Sequence, residues 1–221
     1  MVSILALNLA SPTKERAHAL LEWLWLQPED LWVLTDLGRG PGARLIAEVV
    51  AAAGFDRAAT EQVLVVARDV GLTPVESTSP RTCGVVVEGL RLLAVYGAAS
   101  DPVRYSSSSQ RQRKREWLVE FEQLLSAYDV VVGDLNIAPD RSLPYVLEEE
   151  VALYQRQPLR DAWGHRPEEP SWVDHTGAGV RYDQAWVGDA VEVLDCRLDQ
   201  HPRLHGLTDH AALRLALRRI G

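Results

Sequence analysis

Cysteine is scarce in this sequence of 221 residues, which contains only Cys83 and Cys196. The two cysteines lie far apart and form no Cys-x-x-Cys pair, a pattern that argues against a disulfide framework and against a structural zinc site. Proteins without disulfides are typical of reducing compartments. We therefore expect a cytoplasmic protein.

Long apolar runs are also missing from the sequence. No stretch approaches the ~20 apolar residues that a membrane-spanning helix needs. The apolar N-terminus, MVSILALNLASP, has neither a charged leader nor an Ala-x-Ala cleavage signal, so we do not interpret it as a secretion signal. The sequence predicts a soluble protein with no membrane partner.

Positive charge is in deficit, because 23 Lys and Arg residues stand against 31 Asp and Glu residues, for a net charge of −8. Such a protein has no general attraction to polyanions, and a reader of nucleic acid would need a local basic patch. Acidic side chains that converge on one site would instead favour a divalent cation. With 47% hydrophobic residues and neither a fixed-period repeat nor a linker, residues 1–221 are predicted to form one domain.

Short apolar runs alternate with amphipathic stretches along the whole chain. The runs predict strands at residues 2–9, 31–34, 63–66, 83–88, 90–96, 130–132, 181–187, 191–197 and 211–217. Apolar residues at helical spacing predict helices after residue 12, over residues 41–54, around residues 117–125 and over residues 145–154. Interleaved strands and helices are typical of an α/β domain.

The stretch VVVGDLNIAP, residues 130–139, begins as a buried strand and ends as a loop. Gly133 permits a sharp turn and Pro139 prevents the strand from continuing. Asp134 and Asn136 therefore follow the C-terminal end of a strand, where α/β sheets usually carry their chemistry. The alternative is an ordinary turn, since Gly, Asp, Asn and Pro are common turn residues.

Polar residues follow other predicted strands in the same way. They are Asn8, Asp36, Tyr96, Asp183, and Asp209 with His210. Each has a structural alternative: Asn8 could cap the next helix, and Asp36 could open a turn. Tyr96 could belong to the core, and Asp183 could lie on the surface of an edge strand.

Four motifs occur in a fixed order along the chain. They are LALNLAS (5–11), VVVGDLNIAP (130–139), SWVDHTGAGVRYDQAWV (171–187) and LTDHAALRLAL (207–217). Together they resemble the endonuclease/exonuclease/phosphatase superfamily, and most nearly its exonuclease III and abasic-site endonuclease branch. The segment VYGAASDPVRYSSSSQRQRKREWL (95–118) is similar to the part of that family that supplies a tyrosine and then a basic residue.

The resemblance implies an α/β fold, a four-layer sandwich in which two facing β-sheets are flanked by helices. It also implies divalent-metal-dependent hydrolysis of a phosphate ester. The chemistry has a simple physical basis, because a negatively charged phosphodiester repels hydroxide until a cation neutralises it. Mg²⁺ is the expected ion, with Mn²⁺ as a second possibility, and oxygen ligands suit both.

The resemblance assigns a role to each candidate site residue. Asp134 would orient or deprotonate the attacking water, and Asn136 would hold Asp134 or the phosphate. Asp183 would pair with His210 and raise its pKa, so that an imidazolium contacts the phosphate oxygens. Tyr96 would donate a hydrogen bond to the phosphate or to the leaving group. The predicted metal ligands are Asn8, Asp36 and Asp209, and the further substrate-binding residues are Arg104 and Trp172.

Four positions depart from the family pattern. Thr35 and Asp36 stand where the family usually has glutamine and its metal-binding glutamate. Aspartate is one methylene shorter, so the metal must lie closer to that loop or a water must bridge the gap. Ala10 replaces a second acidic residue of some relatives, and Gly97 replaces a bulkier residue after Tyr96.

Two other clusters have competing interpretations. His201, His205 and His210 could suggest zinc, but Pro202 and Gly206 break the helix that would align the three side chains. The basic run RQRKRE, residues 111–116, could follow a nucleic-acid backbone or form the solvated face of a helix.

The leading hypothesis is a monomeric, magnesium-dependent DNA endonuclease or exonuclease. A second hypothesis keeps the chemistry but changes the substrate to a nucleotide or another small phosphate ester, which the net charge of −8 favours. A third is a non-catalytic binding protein on the same fold, with Asp36 as the altered metal ligand.

Overall fold

A computed structural model describes residues 1–77, 79–99, 108–141, 143 and 146–220, without the side chain of Ser108. The strands are β1 (Val2–Asn8), β2 (Leu31–Thr35), β3 (Asp56–Ala59), β4 (Val63–Ala67), β5 (Leu72–Val75), β6 (Thr82–Val87), β7 (Leu90–Tyr96), β8 (Val130–Asp134), β9 (Arg160–Asp161), β10 (Trp172–Val173), β11 (Gly179–Val180), β12 (Asp183–Val187), β13 (Val191–Asp199) and β14 (Ala212–Arg219). The helices are α1 (Lys14–Trp25), α2 (Pro41–Ala52), α3 (Ser108–Leu124), α4 (Glu148–Arg156) and α5 (His201–Leu204).

Two six-stranded mixed sheets form the centre of the fold. The first has the strand order β13-β14-β1-β2-β4-β3, and the second has the order β5-β6-β7-β8-β12-β9. In the first sheet β1 and β2 are parallel, and in the second β7 and β8 are parallel; the other pairs within these two sheets are antiparallel. A separate two-stranded ribbon joins β10 and β11.

The two sheets face each other, and each has helices on its outer side. Alternate residues of β8 show this, because Val130 and Val132 pack in the core between the sheets while Val131 packs under α3. In the first sheet Val33 likewise points inward, whereas Trp32 points toward α1 and α2. The predicted four-layer α/β sandwich is therefore confirmed.

Two glycines allow the backbone of residues 95–97 to lie close against the motif of residues 130–139. At Gly133 φ is +140°, and an added Cβ would lie 2.2 Å from the carbonyl oxygen of Val95 on the neighbouring strand. At Gly97 an added Cβ would lie 1.9 Å from the carbonyl oxygen of Leu135. The departure from the family at Gly97 thus has a steric reason, since a side chain there would displace the loop that follows β8.

Several predicted boundaries differ from the structure. The helix predicted over residues 145–154 is α4, which begins later because the Glu150 carboxylate accepts the Leu147 N–H at 2.5 Å and caps its first turn. The strand predicted from residue 181 begins at Asp183. The edge strands β3 and β5 were not predicted, because β3 is mostly exposed and β5 is half-exposed and contains Pro74.

Within the described ranges, no helix combines the length and the apolar character needed to cross a membrane.

Candidate functional site

The polar residues predicted at strand ends meet at one edge of the facing sheets. β1 and β2 are parallel and β14 is antiparallel to β1, so the ends of the first two strands and the start of the third share an edge. The second sheet repeats this arrangement with β7, β8 and the antiparallel β12. The edge carries Asn8, Asp36, Tyr96, Asp134, Asn136, Asp183, Asp209 and His210.

Asp134 lies at the centre of this edge and is 1% exposed. Its Oδ2 accepts hydrogen bonds from Asn8 Nδ2 at 2.7 Å and from Asn136 Nδ2 at 2.9 Å, and its Oδ1 accepts the Asn136 N–H at 3.0 Å. The bond from Asn8 links the two sheets. Burial raises the pKa of Asp134 to about 6, although the positive charge of His210 and these hydrogen bonds act in the opposite direction.

His210 and Asp183 form a buried ion pair beside Asp134. His210 Nδ1 lies 2.7 Å from Asp183 Oδ2, and the two side chains are 7% and 0% exposed. Burial alone would lower the pKa of His210, but the negative charges of Asp183 and Asp134 outweigh it and raise the pKa to about 9. At neutral pH the ring is therefore an imidazolium whose Nδ1–H donates to Asp183.

Ser171 supports the backbone of this ion pair. The buried Ser171 Oγ accepts the N–H groups of Tyr182 and Asp183 at 3.0 and 2.9 Å. The Ser171 carbonyl accepts the N–H of Ala211, the residue after His210, at 2.7 Å. One residue of the third motif thus holds the chain on both sides of the pair.

Tyr96 and Asp36 face each other next to Asp134. Burial raises the pKa of Tyr96, and the negative charges of Asp36 and Asp134 raise it further, so the phenol keeps its proton and acts as a donor. Asp36 is half-buried in a left-handed conformation with φ of +48°. Ser11 Oγ donates to Asp36 Oδ1 at 2.9 Å and orients that carboxylate.

The predicted metal ligands form an open set of oxygen donors. Asn8 pairs with Thr35, the residue before Asp36, across β1 and β2, and its Oδ1 accepts the Ala10 N–H at 2.7 Å. Asp209 is exposed, and its Oδ2 accepts a hydrogen bond from Trp172 Nε1 at 3.1 Å. In the part of the chain that the structure describes, no group of three or more His, Cys, Asp or Glu side chains could hold a metal ion. The donor chemistry fits a Mg²⁺ that keeps several of its waters, and it does not form a closed cage.

The remaining candidates are Trp172, Arg104 and the histidines considered for zinc. Trp172 is half-buried, and its backbone bridges that of His210. Arg104 lies outside the described residues. His201 on α5 and His205 just after it have ring centres 4.1 Å apart, and His201 stacks on Trp23. Among the described residues these histidines belong to no group that could hold a metal ion.

The basic run 111–116 is not a purely solvated helix face. Lys114 is 1% exposed and donates to Glu150 Oε2 at 2.6 Å and to the Asn136 carbonyl at 2.8 Å. A solvated face was one of the two interpretations of this run; it fits the other five residues, which are exposed, and Lys114 is the exception. No local signal marks Lys114, since its acidic partner is 36 residues away.

Comparison with solved structures shows which proteins share this fold. A 3′ phosphatase, NExo, from Neisseria, bound to a product DNA hairpin, matches with a TM-score of 0.76 and 20% identity over 99% of this chain and 100% of its own. An AP endonuclease from Archaeoglobus fulgidus matches with a TM-score of 0.77 and 18% identity over 98% and 99%. The chain has the fold of the endonuclease/exonuclease/phosphatase superfamily.

A humanized TDP2 of D. rerio has the same fold, with a TM-score of 0.69 and 16% identity over 98% of both chains. No protein-family model and no curated protein sequence matches the chain. The similarity to the endonuclease/exonuclease/phosphatase fold thus extends over nearly the full length at low sequence identity.

Proposed function

We propose that this protein is a divalent-metal-dependent phosphoester hydrolase that cleaves phosphodiester bonds in DNA, as an endonuclease or exonuclease. The observation that carries the proposal is the juxtaposition of a buried carboxylate, Asp134, with the His210 imidazolium that Asp183 holds. Phosphodiester hydrolysis needs both a group that activates water and a positive charge for the phosphate oxygens. The structural similarity to an AP endonuclease and to a 3′ phosphatase bound to DNA supports DNA as the substrate class.

In this proposal His210 stabilises charge on the phosphate. Its Nδ1–H donates to Asp183, which leaves Nε2–H to donate to a non-bridging phosphate oxygen. The ion pair fixes the ring before substrate arrives, so little reorganisation accompanies the reaction. Tyr96, whose phenol stays protonated, donates to the phosphate or to the leaving oxygen.

Asp134 acts on the attacking water. A carboxylate with a pKa of about 6 is ionised at neutral pH and is a stronger base than an ordinary aspartate. Asn8 and Asn136 donate to Oδ2, so they fix the orientation of the carboxylate. Oδ1 accepts only one backbone N–H among the described hydrogen bonds, which leaves it an acceptor site for a water proton.

The proposal assigns Mg²⁺, or Mn²⁺ in its place, to Asn8, Asp36 and Asp209. Held by these residues, such an ion would neutralise the phosphate and polarise it toward attack. Ser11 and Trp172 orient the two carboxylates through their hydrogen bonds. Trp172 also offers its ring to the substrate, and Arg104 remains a predicted substrate-binding residue.

A nucleotide or another small phosphate ester is the second candidate substrate. The basic run 111–116 offers less free charge than its sequence suggests, because Lys114 is neutralised by buried Glu150 and Arg115 pairs with Glu149 at 2.7 Å. Proteins bind long DNA mainly through Lys and Arg side chains that contact its phosphates. A protein with a net charge of −8 is also suited to short substrates.

The test is a panel of abasic, nicked and single-stranded DNA, mononucleotides and inositol phosphates, each with Mg²⁺, Mn²⁺ or EDTA. We expect turnover of DNA with either ion and none in EDTA. Asp134→Asn should reduce turnover by about 10²-fold or more while substrate still binds. Asp129→Asn is the matched control. Asp129 directly precedes the first residue of β8, at the end of the strand away from Asp134, and its carboxylate accepts the Arg91 N–H at 2.8 Å.

The outcomes separate the three hypotheses. Turnover of mononucleotides or inositol phosphates without DNA cleavage would favour the small-ester substrate. Binding of DNA without turnover of any substrate would favour the non-catalytic protein. Full turnover in EDTA would contradict the metal assignment.

We also propose that the protein is a single-domain monomer in the cytoplasm. Both cysteines are free and buried, which agrees with a reducing compartment. Light scattering coupled to gel filtration tests the monomer.

A further inference from the structure

Arg81 is a cation beside the candidate site that the proposed reaction does not use. It directly precedes β6, and its guanidinium carbon lies 5.1 Å from the centre of the Tyr96 ring. Its Nη1 donates to the Gly97 carbonyl oxygen at 3.2 Å, and Asn136 Nδ2 donates to the same oxygen at 3.2 Å. One shared carbonyl therefore separates Arg81 from the residue that orients Asp134.

Two other described cations near this edge are held in ion pairs. Lys114 pairs with Glu150, and Arg181 pairs with both Asp161 and Glu168. Their charges are balanced inside the protein. A ligand phosphate would gain little from either.

Arg81 differs from them, because none of the described carboxylates forms an ion pair with it. Its hydrogen bonds to described residues run from Nη1 to the carbonyl oxygens of Tyr96 and Gly97. Among the described residues no hydrogen bond involves Nε or Nη2, and these are the N–H donors that we assign to a ligand. The side chain is half-buried, so these donors are held by stacking on Tyr96 and by the two backbone contacts.

We infer that Arg81 forms a second phosphate subsite, which binds a phosphate group of the substrate other than the one that is cleaved. The inference rests on the proposed function and deepens it. His210 and Tyr96 are assigned to the scissile phosphate, whereas the Arg81 guanidinium carbon lies over the Tyr96 ring, 5.1 Å from its centre. A guanidinium binds a phosphate through two parallel N–H donors, and a planar group fixed on an aromatic ring is pre-organised for this.

Two kinds of substrate carry such a phosphate. In DNA it is the next phosphate of the backbone, and in a small ester it is a second phosphate on the same molecule. Both kinds of substrate would present the same phosphate group to Arg81, and testing each kind separately distinguishes them. The small pair is thymidine 5′-monophosphate and thymidine 3′,5′-bisphosphate; the DNA set is the dinucleotide TpT and its forms with an added 5′ or 3′ phosphate.

The experiment compares kcat/KM of wild type and Arg81→Ala on each substrate. We expect a loss of about 10- to 100-fold where a second phosphate is present, the usual worth of a hydrogen bond between charged groups, and a change below about twofold where it is absent. Arg81→Lys should recover part of the loss, because it keeps the charge without the paired donors. On single-stranded DNA, Arg81→Ala should reduce the slope of log affinity against log salt by about 0.7, the value for one phosphate contact.

Arg91→Ala is the matched control. Arg91 also lies over a tyrosine ring, 5.4 Å from the centre of Tyr128, and also donates to a backbone carbonyl, that of Ala127. It belongs to β7 like Tyr96 but lies near the start of that strand. We expect it to leave both classes of substrate unaffected.

A binding measurement keeps the inference independent of turnover. In the Asp134→Asn background, calorimetry compares thymidine 3′,5′-bisphosphate with the monophosphate, with and without Arg81→Ala. Weaker binding of the bisphosphate alone supports the subsite even if no substrate is turned over, in which case the proposed function fails and the subsite remains. An equal loss on both ligands, no loss on either, or no measurable binding of the bisphosphate would overturn it.

Discussion

Lys114 Nζ lies 2.6 Å from Glu150 Oε2, although the two side chains are only 1% and 0% exposed. Lys114 also donates to the Asn136 carbonyl, and Glu150 accepts the N–H groups of Ala138 and Leu147. The pair therefore fastens the loop after β8 to both α3 and α4. This loop carries Asn136 in a left-handed conformation with φ of +49°, and the ion pair helps to hold it there.

Removal of one partner should be costly, because it leaves a buried charge unpaired. We expect Lys114→Met or Glu150→Gln to lower the free energy of unfolding by about 3–5 kcal/mol, measured by urea denaturation. Arg115→Met is the control on the next residue, since Arg115 and Glu149 form an exposed pair. Such a pair contributes at most about 1 kcal/mol. Equal costs for Lys114→Met and Arg115→Met would contradict this account of the loop.

The features that could be predicted from the sequence are those that depend on neighbouring residues. Val130–Val132 alternate between two cores and are flanked by Gly133, so the strand and its terminal loop follow from a few neighbouring residues. The site residues at the strand ends were proposed from motif order, and the structure brings them to one edge. Their catalytic roles remain predictions.

What the sequence did not predict depends on partners far along the chain. Lys114 occurs in a run that is typical of a solvated face, and only Glu150, 36 residues later, makes its burial possible. Arg81 lies in an ordinary loop segment, and its position over Tyr96 appears only when β6 and β7 pair. The strands β3 and β5 lacked a pattern because edge strands bury few side chains.

The activity should depend on pH through two groups. The pKa of Asp134 is raised to about 6, so the rate should rise as pH increases through this value and the base ionises. The pKa of His210 is raised to about 9, so the rate should fall as pH increases through that value and the imidazolium loses its proton. The measurement is kcat/KM against pH. A falling limb near pH 6.5, the ordinary value for histidine, would mean that Asp183 does not hold the charge on His210.

Asp183→Asn should move that falling limb to lower pH. Without the negative charge of Asp183, only Asp134 and Asp209 oppose the effect of burial, so the pKa of His210 falls and the imidazolium loses its proton at lower pH. We expect a large loss of rate at pH 8 and a partial recovery near pH 6. Asp195→Asn serves as the control, because Asp195 pairs with Arg197 on the exposed surface of β13. Loss of rate by the same factor at every pH would indicate a structural role for Asp183 instead.

The last prediction concerns Asp36, which replaces a longer glutamate of the related family. Asp36→Glu should bind Mn²⁺ more tightly, because it restores the longer carboxylate arm of the related family. The backbone opposes this change, since φ is +48° and aspartate adopts the left-handed region more readily than glutamate does. We therefore expect tighter Mn²⁺ binding together with a loss of about 1 kcal/mol in stability.

Electron paramagnetic resonance measures the Mn²⁺ affinity without relying on turnover, and urea denaturation measures the stability. Ser11→Ala should weaken Mn²⁺ binding, because Ser11 Oγ holds Asp36 Oδ1 at 2.9 Å. Glu22→Gln, a change of one surface carboxylate on α1, is the control and should alter neither quantity. If Asp36→Glu abolished Mn²⁺ binding while the protein stayed folded, the loop after β2 would have to be built around aspartate, and the metal would lie closer to the backbone than in the related family.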